Sequence, residues 1–217
     1  MREYAASAMR SRFSDDAAFN AFYAALSDKQ KDDFLRVASS YLFLVKQGDW
    51  HVSREDCNPV IDYLTNSFKL VSLFSLIESL SNERHEDFHE WLQKRENVSF
   101  PIQDKAALKV LYSDYKETYG SIRRFVRFFE RLPVARQAEL RAGFKIRGKP
   151  VPNIKTVAEF LYNLRSKFVH EGEFVLDIAN VPVMSRHGNA ETLTDISLPH
   201  LMTVFEEGLV SHFRHAT

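Results

Sequence analysis

The sequence predicts a mainly α-helical domain, on three observations. Apolar residues recur at three- and four-residue spacing through most of the chain. Turn formers are scarce, with 7 glycines and 7 prolines in 217 residues, fewer than a sandwich or barrel would need. The 18 phenylalanines fall largely within the helical patterns and point to an aromatic-rich core. At 45% hydrophobic and 27% charged residues the composition is globular, which excludes a disordered chain.

Residues 15–46 read as two helices broken at Ser27-Asp28. Ser14 or Asp15 caps the first and Ser27 the second, because a short oxygen-bearing side chain accepts from amides that have no partner in a first turn. In the second helix Phe34, Val37, Ala38, Tyr41, Leu42 and Val45 share the buried face. Residues 47–59, with Gly48, Trp50 and Asn58-Pro59, break the pattern and read as a connector. This divides the chain into an N-terminal helical extension, 1–50, and a main helical domain, 51–217. A long helix follows over 60–80. It is apolar on most sides and therefore central to its bundle, with a stripe of Ser72, Ser75 and Ser79 where a neighbour can approach.

Shorter helices are expected over 83–95, with Phe88, Trp91 and Leu92 inward, and over 103–119, stopped by Gly120. Another runs over 121–132, with Ile122, Phe125, Val126, Phe128 and Phe129 inward and Pro133 as its end. A helix near 135–142 leads into a basic loop over 143–152. Helix resumes from Asn153 or Thr156 to His170 and is closed by Gly172. Alternation over 181–185 and 191–197, around Gly188, gives a small β-hairpin near the C-terminus. Ser197 caps a last helix over 199–212.

Cys57 is the only cysteine, so no intrachain disulfide and no thiolate zinc cluster can form. No stretch approaches the ~20 apolar residues of a membrane helix, and the N-terminus has no signal-peptide pattern. A cytoplasmic protein with no membrane association is expected. Net charge is zero, yet residues 121–155 carry ten Lys and Arg against only Glu130 and Glu139. Arg123, Arg127 and Arg131 are four apart and form one stripe; Lys145, Arg147 and Lys149 crowd the loop. The segment reads either as an RNA-phosphate surface or as a solvated helix face.

The chemistry concentrates in Val157-Ala-Glu-Phe-Leu-Tyr-Asn-Leu-Arg-Ser-Lys-Phe-Val-His170. Val157, Phe160, Leu161, Leu164 and Phe168 form the core face. Tyr162, Ser166 and Val169 lie opposite, flanked by Arg165 and His170 about 140° apart. Histidine exchanges a proton near neutrality, and arginine grips a phosphate through two hydrogen bonds. Together they suit phosphodiester cleavage without a metal or other cofactor. Taken as spacing only, the pair reads first as a surface arginine and a histidine drawn to the negative end of a helix, which is the commoner arrangement.

Leu161-Tyr-Asn-Leu-Arg-Ser-Lys-Phe-Val-His-Glu-Gly172 resembles the motif helix of HEPN (higher eukaryotes and prokaryotes nucleotide-binding) domains, in particular the Apea-like branch. Its pattern is Arg, a polar residue, a short spacer and His, matched here by Arg165, Ser166 and His170. Phe68-Lys-Leu-Val-Ser-Leu-Phe-Ser-Leu-Ile-Glu-Ser-Leu80 resembles the family's long helix, with Glu78 at its acidic position. The resemblance spans residues 59–213. It implies a helical bundle that forms a homodimer with two motif helices facing each other. It also implies a metal-independent endoribonuclease that leaves a 2′,3′-cyclic phosphate and serves as a toxin or antiviral-defence effector, with an antitoxin or defence partner. By that resemblance His170 is the acid or base, Arg165 holds the phosphate, Glu78 orients Arg165 and Ser166 assists. Serine stands where active members mostly carry Asn, Asp or His. The alternative is therefore a non-catalytic HEPN-like module that binds a protein, a nucleotide or RNA.

Three other constellations read as structural. His85 and His89 have metal-pair spacing but no third ligand. Arg147-Gly-Lys-Pro is no phosphate loop. Tyr112, Tyr115 and Tyr119 are helix-spaced packing residues rather than a stacking platform for bases. His212 and His215 fall at a fraying terminus and read as inert.

Overall fold

A computed structural model describes residues 1–49, 58–80, 86–100, 102, 104–187 and 190–214. Most of the expected connector, with Trp50 and Cys57, lies outside them, as do His85, Gly188 and His215. The chain is mainly helical with one small antiparallel sheet.

Helix α1 (Arg2–Met9) has no counterpart in the sequence reading. Helices α2 (Asp16–Ala25) and α3 (Asp28–Tyr41) begin where expected, because Asp15 accepts from the Ala18 amide and Ser27 from that of Gln30. The Gln30 side chain returns a bond to the Ser27 amide and completes a capping box. Helix α3 runs on into a π-turn over Leu42–Lys46, where the Gln47 amide reaches back five residues to the Leu42 carbonyl.

The long helix α4 (Asn58–Ser79) packs against α3, α7 (Ser121–Glu130), α9 (Ile154–Glu171) and α10 (Leu198–Arg214), and so is central. Helices α5 (Phe88–Gln93) and α6 (Lys105–Tyr119) form a side arm held by its own aromatic cluster. Tyr115 packs on Phe88 and Trp91 at ring separations of 5.1 and 5.7 Å, and its hydroxyl donates to the Glu86 carbonyl. Tyr112 lies 5.2 Å from Phe88, so these tyrosines do pack among themselves. Helix α8 (Val134–Ala142) completes the helical set. Ile122, expected inward on α7, is 38% exposed, whereas Phe125, Val126, Phe128 and Phe129 are buried.

The basic segment after α8 is not an open loop. Strands β1 (Phe144–Ile146) and β2 (Lys149–Pro150) pair around Arg147 and Gly148, both at positive φ (51° and 75°). Two residues of that conformation make the tight turn whose twist matches a hairpin. The expected C-terminal hairpin is also present, as β3 (Val183–His187) and β4 (Ala190–Thr194). Strand β1 pairs with β4, giving a four-stranded sheet in the order β2-β1-β4-β3. Pro150 is tolerated because β2 is an edge.

One hydrophobic cluster joins Ala5, Met9, Phe34 and Tyr41 to Phe74, Phe125, Leu161 and Phe205. Residues 1–49 thus share the core of the rest. A polar clasp reinforces the junction. The Glu206 carboxylate on α10, 4% exposed, accepts from the Tyr41 hydroxyl (2.8 Å), the Lys46 ammonium (2.9 Å) and the Ser11 hydroxyl (2.8 Å), with Arg12 at 3.3 Å. Next to it, Glu207 takes both Arg12 and a two-pronged bond from Arg136 on α8.

Where α10 crosses α7, Gly208 lies under the Phe128 ring. A Cβ at Gly208 would meet the ring's Cε1 and Cε2 at 2.7 and 2.9 Å. Alanine elsewhere in a helix gains up to about 1 kcal/mol over glycine. Here the buried ring must move instead, so Gly208→Ala is expected to destabilise and Gly208→Val to cost about 1–3 kcal/mol or more. Thermal unfolding reads this directly, and a Gly208→Ala protein more stable than wild type would contradict the packing.

Candidate functional site

Helix α9 starts where the Asn153 side chain accepts from the Thr156 amide and ends at Gly172, whose φ of 72° supplies the left-handed cap. Ile154, Val157, Ala158, Leu161 and Leu164 are buried along it; Phe160 and Phe168 are half-buried against the core. The predicted core face is therefore present, and a second neighbour widens it. Helix α7 packs along the side expected to face away. Tyr162, expected there with an apolar surface in need of a cover, is half-buried between Phe74 and Phe125 at ring separations of 6.0 and 6.3 Å. The chain itself covers Tyr162. Val169 remains 47% exposed on that side.

Arg165 is half-buried, with its guanidinium carbon 5.6 Å from the centre of the Tyr162 ring. Its Nε is buried and has no hydrogen-bond partner. Among the described residues no carboxylate pairs with it. A permanent cation with a buried, unpaired donor has a strong demand for an acceptor. His170 is exposed in the last turn. Helical geometry keeps it about 140° from Arg165, so within one chain the two side chains point apart.

Glu78 is not brought to Arg165. The edge-on pair Phe68–Phe168 (5.1 Å) and the tilted pair Phe74–Tyr162 (6.0 Å) set α4 antiparallel to α9. In that register Glu78 falls opposite Ala158, about 10 Å along the axis from Arg165. Its Oε1 is buried without a partner. Ser166 leaves Arg165 too: it faces a cleft of ≈380 Å³ between α9 and β3, lined also by Asn163, Lys167, Glu171 and Arg186.

The basic stripe is divided among its neighbours. Arg123 donates to the Glu117 carbonyl on α6, and Arg131 lies 3.3 Å from His212 on α10. His212 is therefore not a frayed terminal side chain. Burial, and then the Arg131 charge, hold its pKa below the ordinary histidine value. Arg123 and Arg127 line a groove of ≈820 Å³ between α6, α7 and the start of α9. Five cations there (Arg95, Lys116, Arg123, Arg127, Lys155) face four carboxylates (Asp114, Glu117, Glu130, Glu159), so the groove is mixed rather than basic. Lys145, Arg147 and Lys149 sit apart on the β1–β2 hairpin and do not line that groove.

Two features of the region were not read from the sequence, Asn163 and Arg186. Asn163 lies seven residues before His170 and on the same helical row, which was legible. Arg186 is brought in only by the sheet. Among the described residues no three His, Cys, Asp or Glu side chains are placed to hold a metal ion, and no helix is long and apolar enough to cross a membrane. No protein-family model, curated protein or solved structure matches the chain.

Proposed function

We propose that this chain is a metal-independent endoribonuclease of the HEPN type, active as a two-fold homodimer. The observation that carries the reading is the Arg165 guanidinium. It is held on Tyr162, its buried Nε has no partner, and it shares a helix with an exposed histidine. A phosphodiester oxygen is the acceptor such a group lacks. The ribose 2′-hydroxyl attacks phosphorus, His170 takes its proton, and the bond to the 5′-oxygen breaks. The 5′-oxygen takes a proton from solvent water as it leaves, and Arg165 balances the charge gathered on the phosphorane; His170 then returns its proton to solvent. Because Arg165 and His170 diverge on one helix, a second α9 facing the first completes the cleft; Val169, exposed on the same helix, lies beside it. A toxin or defence role, with a partner protein that keeps the nuclease silent, accords with this chemistry.

The test is RNA incubated with the protein in EDTA, beside the same oligonucleotide made as DNA. Cleavage of RNA only, leaving 2′,3′-cyclic phosphate ends, supports the reading; an intact RNA refutes it. The divergence of Arg165 and His170, and the distance of Glu78, favour one second reading, a non-catalytic module that holds RNA. Tight binding with no cleavage is its signature.

A further inference from the structure

We infer that the cleft between α9 and β3 is the binding site for a single-stranded RNA nucleotide next to the phosphate that His170 acts on. The inference rests on the ribonuclease reading for its ligand, and on separate residues for its evidence. The cleft measures ≈380 Å³, within the ~300–1,000 Å³ of small-ligand sites. Asn163, Ser166 and Lys167 enter it from α9, on the same helical face as His170, which follows one turn later. The site and the proposed proton-transfer group are therefore continuous along one helix.

Three of the donors in the cleft, Arg186, Asn163 and Ser166, are uncommitted. The side chain of Arg186, on the edge strand β3, makes no ion pair or hydrogen bond among the described residues, even with Glu191, its cross-strand neighbour. The Asn163 amide and Ser166 hydroxyl likewise have no hydrogen bonds among the described residues. Lys167 is held 2.8 Å from Glu173, a bond that raises its pKa and keeps it charged. Glu171 supplies the one carboxylate, an acceptor for a sugar hydroxyl or a base amino group. A cation free for phosphate, two neutral donors and one acceptor suit a nucleotide better than a bare anion. The larger groove by α7 is the rival, but its cations are engaged. Arg95 lies 3.9 Å from Asp114, Lys155 3.8 Å from Glu159, Lys116 sits over Tyr112, and Arg123 is bonded to a carbonyl.

The experiment measures binding of a 2′-O-methyl oligoribonucleotide, which lacks the attacking hydroxyl, by fluorescence anisotropy across a salt series. Wild type is compared with Arg186→Gln and with Lys29→Gln, an exposed cation on α3, each checked by circular dichroism. Loss of one charged phosphate contact is expected to weaken binding about tenfold or more. It should also flatten the slope of log affinity against log salt by about 0.7. Lys29→Gln should do neither. An Arg186→Gln protein with unchanged affinity and slope overturns the inference even if wild type cleaves RNA. Weakened binding in a protein that never cleaves upholds the cleft and removes the nuclease. No RNA binding by wild type removes both.

Discussion

Glu206→Ala is expected to cost about 3 kcal/mol or more of folding stability, the lower part of the range for breaking a buried ion pair. The Glu206 carboxylate gathers four donors from three N-terminal places: Ser11 and Arg12, Tyr41, and Lys46 of the π-turn. Removing it leaves the Tyr41 hydroxyl, on a fully buried ring, without an acceptor. It also leaves the Lys46 ammonium with only the Ala8 carbonyl. Lys46 is 31% exposed and Arg12 22%, so water reaches both, and this holds the estimate to the low end. Tyr41 stays a neutral donor, because burial first and the Glu206 charge second push its pKa far above the ordinary tyrosine value. Tyr41→Phe should then cost about 1 kcal/mol, and in the double mutant the two losses should not add. Urea unfolding of the four proteins measures this. A Glu206→Ala midpoint equal to wild type would mean that the clasp adds nothing and that core packing alone joins residues 1–49 to the rest.

The parts of the fold that were legible are those where one helix face meets one core. Helices α3, α7, α9 and α10 fall where the apolar spacing puts them, with their caps at Ser27, Asn153 and Ser197 and their stops at Pro133 and Gly172. Helix α1 escaped because its buried side chains include two alanines, Ala5 and Ala8, which signal little hydrophobic contrast until packed against α3. The β1–β2 hairpin escaped because its turn is Arg147-Gly148. An arginine at positive φ is not a residue from which such a turn is read. At the site the failures share a cause. A helical wheel gives angles about one axis but not how many neighbours surround it. Tyr162 sits where the wheel put it, yet α7 covers that side. Arg123, Arg127 and Arg131 do share a stripe, yet α6 and α10 draw its two ends apart. Glu78 shows the same limit between helices, because a motif does not state the register of α4 on α9, and two aromatic pairs fix it.

His170→Ala is expected to lower RNA cleavage by about 10²–10⁴, the usual share of a positioned acid or base. The side chain is exposed, in the last turn of α9, and touches no part of the core, so the fold and the melting temperature should hold. RNA affinity should hold too, since the proposed role is proton transfer. Arg165→Ala should lose activity on a similar scale with a different signature. Its interaction is with charge that grows toward the transition state, so kcat should fall more than KM rises. It should also soften the fold slightly, because the guanidinium lies on Tyr162, a contact of about 0.5–2 kcal/mol. Arg165→Lys keeps the charge but not the planar fork and should recover little. The two variants therefore separate what a structural role would merge. A residue that merely packs would change stability and activity together, whereas His170→Ala must change activity only. Equal cleavage by wild type and His170→Ala would assign the activity to something other than α9. Unchanged RNA affinity in both variants, with no cleavage by any of the proteins, would leave a binding module whose strand runs along the cleft beside Arg186.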